Sequence, residues 1–159
     1  MSISKKKEEV MVKRKTAKEK LEDAKGLPKI VDMPKGVMVV PKPLDVDGLI
    51  RKAKPGCLVT TDQIRAHLAK NAQADYACPL ATGIFIRIAA EAAEEDLLSG
   101  KEPTPYWRVI KHNGSMNEKF PGGIERQAAR LKEEGYTIIE GKGKKPPKVA
   151  DFERYLQEL

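Results

Sequence analysis

Little in this sequence is aromatic, reactive or continuously apolar. Phe, Trp and Tyr make up 5% of its 159 residues, with a single tryptophan. Cys57 and Cys78 are too few for a disulfide framework. The two histidines, His67 and His112, have no ligand spacing to one another or to a cysteine, so no metal site and no cofactor are expected. No stretch reaches the ~18 apolar residues of a spanning helix, so no membrane is expected. The basic start "MSISKKKEEVMVKRK" lacks the apolar core of a secretory signal, and a cytoplasmic location is expected. No internal repeat is found.

What is plentiful is charge, mostly of one sign. Lys and Arg number 30 against 23 Asp and Glu, giving a net charge of +7 and a pI near 9.3. That favours an anionic partner, nucleic acid first and a ribosome or membrane surface behind it, although lysine-rich surfaces also serve solubility. With 40% hydrophobic residues a packed core is within reach. The length fits one domain with an appendage: a charged arm and extended segment over 1–44, and a single domain over 45–159.

Along the chain, "EEVMVKRKTAKEKLEDAK" reads as a helix stopped by Gly26 and Pro28. Its thin stripe of Val10, Ala17, Leu21 and Ala24 predicts weak docking or fraying. "KIVDMPKGVMVVPKPLDV", with prolines at 34, 41 and 43, reads as extended edge segments and not a central strand. Asp45 is placed to cap a helix carrying Val46, Leu49, Ile50 and Ala53, ended by Pro55-Gly56. "CLV" follows as a brief strand. Thr60 or Thr61 caps the next helix, with Ile64 and Leu68 on one face. A polar turn, "NAQADYAC", leads to Pro79 and a long helix to about Leu98, with Leu80, Ile84, Ile88 and Ala92 as its stripe. Two helices joined by a short connection in a basic chain have the sequence shape of a helix-turn-helix. "GGIERQAARLKEEG" gives a further helix. "YTIIEGKGKKPPKV" reads as a hairpin, or wing, whose Lys142, Lys144, Lys145 and Lys148 outweigh Glu140. A last helix from Asp151 sets Phe152, Tyr155, Leu156 and Leu159 at core spacing. The fold class is mainly α with small β elements, a winged helix-turn-helix-like DNA-binding domain.

In order, "GCLVTTDQIRAHLA", "LATG" (Leu80 to Gly83), "PYWRVIKHNG" (Pro105 to Gly114) and "GGIERQAARLKEEG" (Gly122 to Gly135) make four motifs. Together they resemble the DNA-binding domain of the methylated-DNA–protein-cysteine methyltransferase family, from about Val46 to Gly135. That family has Pro-Cys-His-Arg-Val-Val, a Gly after three residues, then Gly-Gly, a short helix and Glu-Gly. Its thiolate takes an alkyl group from a flipped guanine, its proton passing through histidine and glutamate. Here Tyr106 stands for the cysteine, Trp107 for the histidine and Glu134 for the glutamate. A phenol with pKa near ~10 is a poor nucleophile and indole only donates, so the methyl-accepting relay is absent and no enzyme is expected. The resemblance is to the alkyltransferase-like branch, which lacks the cysteine, binds alkylated DNA and hands it to repair factors.

Further departures are evident. The family's base-rotating tyrosine aligns with Thr61 and its intercalating arginine with Leu80. Leu80 suits either an apolar wedge between base steps or, beside Ile84, the core, and the core is favoured. The Gly83–Pro105 stretch is longer than the family's and lacks its Asn-Pro hinge. By resemblance, the base pocket is Tyr106, Trp107, Arg108, Gly122, Gly123 and Glu134. Trp107 leans to the core and Tyr106 to the pocket surface. DNA-binding candidates are Thr60, Thr61, Gln63, Arg65, Leu80, Thr82, Arg87, Lys142, Lys144 and Lys145. Arg108 and the backbone amides at Pro79 add phosphate contacts.

The leading expectation is a non-catalytic DNA-binding protein that senses alkylated bases in DNA repair. Its partners would be double-stranded DNA, met through the minor groove by family resemblance, and a repair protein; the chain is expected to be a monomer. The alternative is a protein-interaction or scaffold module that kept the fold and lost DNA, favoured by Glu91, Glu94, Glu95 and Asp96 on one helix end. An enzyme using Cys57 or Cys78 ranks third, because buried small hydrophobe is the commoner role of such cysteines.

Overall fold

The structure, a computed structural model, describes residues 14–159. Helix α1 (Ala17–Glu22) leads into strands β1 (Lys29–Met33) and β2 (Gly36–Val40). Then come α2 (Pro43–Arg51), β3 (Val59–Thr60), α3 (Thr61–Asn71), β4 (Tyr76–Ala77) and the 20-residue α4 (Pro79–Leu98). A 3-10 turn at Tyr106–Arg108 enters β5 (Val109–Ile110) and is followed by α5 (Gly123–Glu133). Strands β6 (Ile138–Ile139) and β7 (Lys148–Val149) and a 3-10 turn at Phe152–Tyr155 complete the order. The architecture is mainly helical with small sheets, as periodicity implies.

Helix α3 begins where its chemistry requires. Thr60 Oγ1 accepts from the Gln63 backbone N–H at 3.1 Å, and Gln63 Oε1 accepts from the Thr60 N–H at 2.9 Å. This reciprocal cap is worth about 1 kcal/mol. Helix α4 begins at Pro79, whose missing N–H costs nothing in a first turn. The connection between them is more than a polar turn. Its β4 pairs in parallel with β2 through Met38↔Tyr76 and Val39↔Ala77, while β1 pairs with β2 on the other side. Strand β2 is therefore central in a three-stranded sheet, not an edge. Helices α3 and α4 thus form a helix-turn-helix-like unit pinned by a sheet.

Four further expectations are corrected by packing. Helix α1 is docked, with Ala17 and Leu21 buried and the Ala17 and Lys18 amides donating to Glu95 at 2.8 and 3.0 Å. The part of that expected helix before Arg14, including Val10, lies outside the described residues. Helix α2 starts at Pro43 after Lys42, so Asp45 stands inside its first turn, where a carboxylate suits the helix dipole. The buried face of α4 is Thr82, Ile86, Ala89, Ala90, Ala92, Ala93 and Asp96, so of the expected stripe Ala92 is buried, and the alanines let α1 and α2 approach closely. Leu80 and Ile84 are left 74% and 38% exposed. At the C-terminal end, Asp151 has φ 51° and opens only a 3-10 turn, with Tyr155 exposed.

The chain before Asp45 shares the main core, since Val39 and Leu21 pack in one cluster with Val46, Ile50 and Ile86. A second cluster holds Leu58, Ile110, Met116, Leu131 and Val149, and Trp107 packs against both.

Candidate nucleic-acid interface

Tyr106, which the resemblance sets in place of a reactive cysteine, is 0% exposed. Its ring meets Trp107 and Phe120 edge to face, with centroids 5.4 and 5.2 Å away. Its hydroxyl donates to Glu94 Oε1 at 2.8 Å. Burial first, and then the Glu94 carboxylate, push the phenol pKa far above its ordinary value, so the hydroxyl stays neutral. Burial raises the Glu94 carboxyl too, but hydrogen bonds from Tyr106 and Arg126 and the charges of Arg130 and Arg126 outweigh it and hold that pKa low. Fully buried and held in its neutral form, the phenol is out of reach of a substrate. Expected to lean to the pocket surface, Tyr106 is instead in the core, because Glu94 satisfies its hydroxyl there.

Trp107 is the more open of the pair. It is half-buried and lines a pocket of about 310 Å³ with Arg51, Lys54, Pro55, Pro103 and Pro105. Its indole N–H donates to Glu134 Oε2 at 2.5 Å, a histidine-like use of that glutamate without histidine's proton chemistry. Arg108 donates to Glu134 at 3.0 Å and to the Ala53 carbonyl at 2.7 Å, so it is bound internally and not free for phosphate. Gly122 holds φ 77° before α5, and a Cβ there would come within 2.5 Å of Arg126. Gly123, at φ 68°, opens the helix. The family-position residues therefore gather in one neighbourhood, but as a packed network.

The helix-turn-helix candidates divide in two. Thr60 is buried in its cap, Gln63 Nε2 donates to the Gln157 carbonyl at 2.9 Å, and Thr61 is half-buried. Thr82 is fully buried, donating to the Cys78 carbonyl at 2.7 Å. Thr60, Gln63 and Thr82 thus spend their polar atoms inside the protein, because helix starts consume hydroxyls and amides. Arg65 pairs with Asp62 one turn earlier, and Arg87 stands exposed with Glu91 3.6 Å away. Leu80 and Arg87 line a cleft of about 210 Å³ with Gly83, Ile84, Asn117 and Lys119.

The 117–119 side of that cleft was not legible as a site, although Lys119 stands three residues before Gly122. It is held by Gln127, fully buried, which accepts from the Asn117 N–H at 2.9 Å and donates to the Val109 carbonyl at 2.8 Å. Lys142, Lys144 and Lys145 are exposed on the β6–β7 hairpin. The base of the hairpin is tied to the same loop, with the Val149 N–H donating to the Gly114 carbonyl at 2.9 Å. Gly114 permits this at φ 85°, where a Cβ would lie 2.4 Å from the Phe152 ring.

The acidic end of α4 is internally engaged. Glu91 faces Arg87, and Glu94 receives Tyr106, Arg126 and Arg130. Glu95 receives the α1 amides, and Asp96 meets Lys18 at 2.6 Å. Cys57 and Cys78 are half-exposed, not buried. Among the described residues no cluster of three or more His, Cys, Asp or Glu is placed to hold a metal, and no helix is long and apolar enough to cross a membrane.

Two solved structures of S. pombe Atl1 share this architecture, one in complex with damaged DNA containing O6-carboxymethylguanine and the other in complex with DNA. Each aligns with a TM-score of 0.51 over 74% of this chain and 94% of its own, at 19% sequence identity. The chain has the Atl1 fold. Neither protein-family models nor curated proteins give a match to its sequence. The shared architecture agrees with the mainly helical, helix-turn-helix-like fold expected from the sequence.

Proposed function

We propose that the chain is a non-catalytic protein that binds double-stranded DNA and senses damaged bases, as a monomer entering from the minor groove and passing the site to a repair protein. The observation that carries this is the exposed Leu80 at the start of α4, beside a cleft whose charged side chains, Arg87 and Lys119, are both basic. The net charge of +7 and the exposed hairpin lysines support attraction to phosphate. The neutral, buried Tyr106 argues against alkyl transfer. The scaffold reading loses its motive, because the acids that suggested it are engaged inside the fold.

Salt-dependent duplex binding tests the proposal. Each phosphate neutralised contributes about −0.9 to the slope of log K against log salt. Changing Lys142, Lys144 and Lys145 to alanine should flatten that slope and weaken all sequences alike. No duplex binding at ~50 mM salt, where such contacts are strongest, would return the scaffold reading. Intact mass after incubation with methylated duplex should show no gain of a methyl group.

A further inference from the structure

Resting on the DNA-binding reading above, we infer that the β1–β2 hairpin is an additional wing, whose Lys29 and Lys35 hold phosphates of the duplex that α3 and α4 engage. The hairpin precedes Val46, where the resemblance to the methyltransferase family begins, so no family position accounts for it. Its placement is fixed by the connection between α3 and α4. Asp75, in that connection, accepts from the Val37 N–H at 2.7 Å and donates its own N–H to the Val37 carbonyl at 2.8 Å. Gly36, at φ 132°, permits this approach, because a Cβ there would lie 2.5 Å from the Asp75 carboxylate. Cys78, the residue before α4, donates to the Val39 carbonyl at 2.8 Å. Ile30, Val39 and Ala77 stand side by side across β1, β2 and β4. At a strand spacing of ~4.8 Å, β1 lies about 10 Å from the chain entering α4. Lys29, paired with Val40, is thereby level with Cys78 and the first turn of α4.

The outer strand carries a surplus of positive charge. Lys25, Lys29 and Lys35 are exposed, and Asp32 is the single acid between Lys25 and Val40. Asp75 is spent on Val37, and Asp23 and Asp45, on either side in sequence, are paired with Lys15 and Lys42. A cationic rim fixed beside a helix-turn-helix-like unit meets the backbone of the duplex that the unit engages, and such contacts position the protein without reading sequence. Lys29 opens β1 and Lys35 lies in the turn beyond it. At ~3.3 Å per residue the strand between them is roughly 16 Å long, so they reach different phosphates.

Fluorescence anisotropy of the full chain on a fully paired duplex, from ~50 to ~200 mM salt, tests this. Lys29→Ala and Lys35→Ala should each flatten the slope of log K against log salt by about 0.9, so the affinity lost over that range shrinks about 3.5-fold per lysine. Asp32→Lys, at an exposed position of the same strand, should steepen the slope and tighten binding, a gain that no damage to folding can mimic. Lys101→Ala removes the same charge from beyond the other end of α4 and should change neither slope nor affinity. Unchanged slopes in the hairpin variants would overturn the inference while duplex binding stands. So would an equal loss with Lys101→Ala, which would reduce the hairpin to bulk charge. Failure of the unaltered chain to bind the duplex would overturn the DNA-binding reading itself, and this inference with it.

Discussion

The two ends of α4 carry opposite chemistry and put it to opposite uses. The N-terminal end shows solvent an apolar side chain and an arginine, with Lys119 across the cleft. The C-terminal end is rich in carboxylates, yet Glu94, Glu95 and Asp96 have partners inside the fold, from Tyr106 to Lys18 and the amides of α1. A count of charges along the sequence would assign repulsion of phosphate to the second end. Packing assigns it architecture instead. The charge that matters to a partner is what remains after internal pairing, and here that remainder is basic.

Variants along α4 and its contacts sharpen this contrast. The largest effect is expected at the closed end. Tyr106→Ala should cost ~3–5 kcal/mol by denaturant unfolding, because it empties a fully buried aromatic site and strips Glu94 of a donor. Glu94→Gln comes next, about 1.5–3 kcal/mol, through weaker charge-assisted bonds to Arg126 and Arg130. The same variant has a pH signature. The Glu94 pKa is lowered in the fold, so its stabilisation is present above the ordinary carboxylate range near ~4.3 and is lost as pH falls through the folded value. Glu94→Gln should therefore flatten the acid limb of stability.

Tyr106 works in the other direction. Its raised pKa gives stabilisation that is complete below ~10 and is lost as pH rises beyond it, so Tyr106→Phe should flatten the alkaline limb. Glu95→Ala should release α1 from α4 at about 1 kcal/mol, read as faster amide exchange over Ala17–Glu22. Leu80→Ala should change stability by less than ~0.5 kcal/mol, since the side chain packs little. A large loss there would mean that Leu80 is core, and the contrast between the two ends would fail.

Local chemistry made much of this fold legible. The Thr60 cap, the Pro79 start and the helix bounds to Leu98 follow from side chains that act within one turn of themselves. The β6–β7 hairpin follows from its short apolar pair and lysine tip. The pairing of β2 with β4 was illegible because only two residues of each strand meet across a long separation. The orientation of α4 misled for a related reason. Isoleucine and leucine outweigh alanine in any apolar stripe, yet close approach of α1 and α2 turns the alanine face inward. The site was half visible. Tyr106, Trp107 and Glu134 were singled out by resemblance to a known family, but whether the tyrosine faced a pocket or a core depended on Glu94, twelve residues earlier on another element.

Gln157 carries a consequence for the order of folding. Its side chain accepts from the Lys54 N–H at 2.9 Å and donates to the Lys52 carbonyl at 2.6 Å, clasping the chain just beyond α2. Its backbone N–H reaches the Leu58 carbonyl at 2.8 Å, and its carbonyl takes Gln63 Nε2 at 2.9 Å. These contacts bridge separations as large as 105 residues. Such closure is slow relative to helix formation, since the loop entropy is spent before the contact rewards it. During synthesis α2, α3 and α4 can all form while the seam between α2 and α3 still waits for Gln157 to leave the ribosome. Until then Leu58, which also packs with Ile110, Met116, Leu131 and Val149, lacks its bridge to Leu156. The α2–α3 seam is therefore among the last parts of the fold to close.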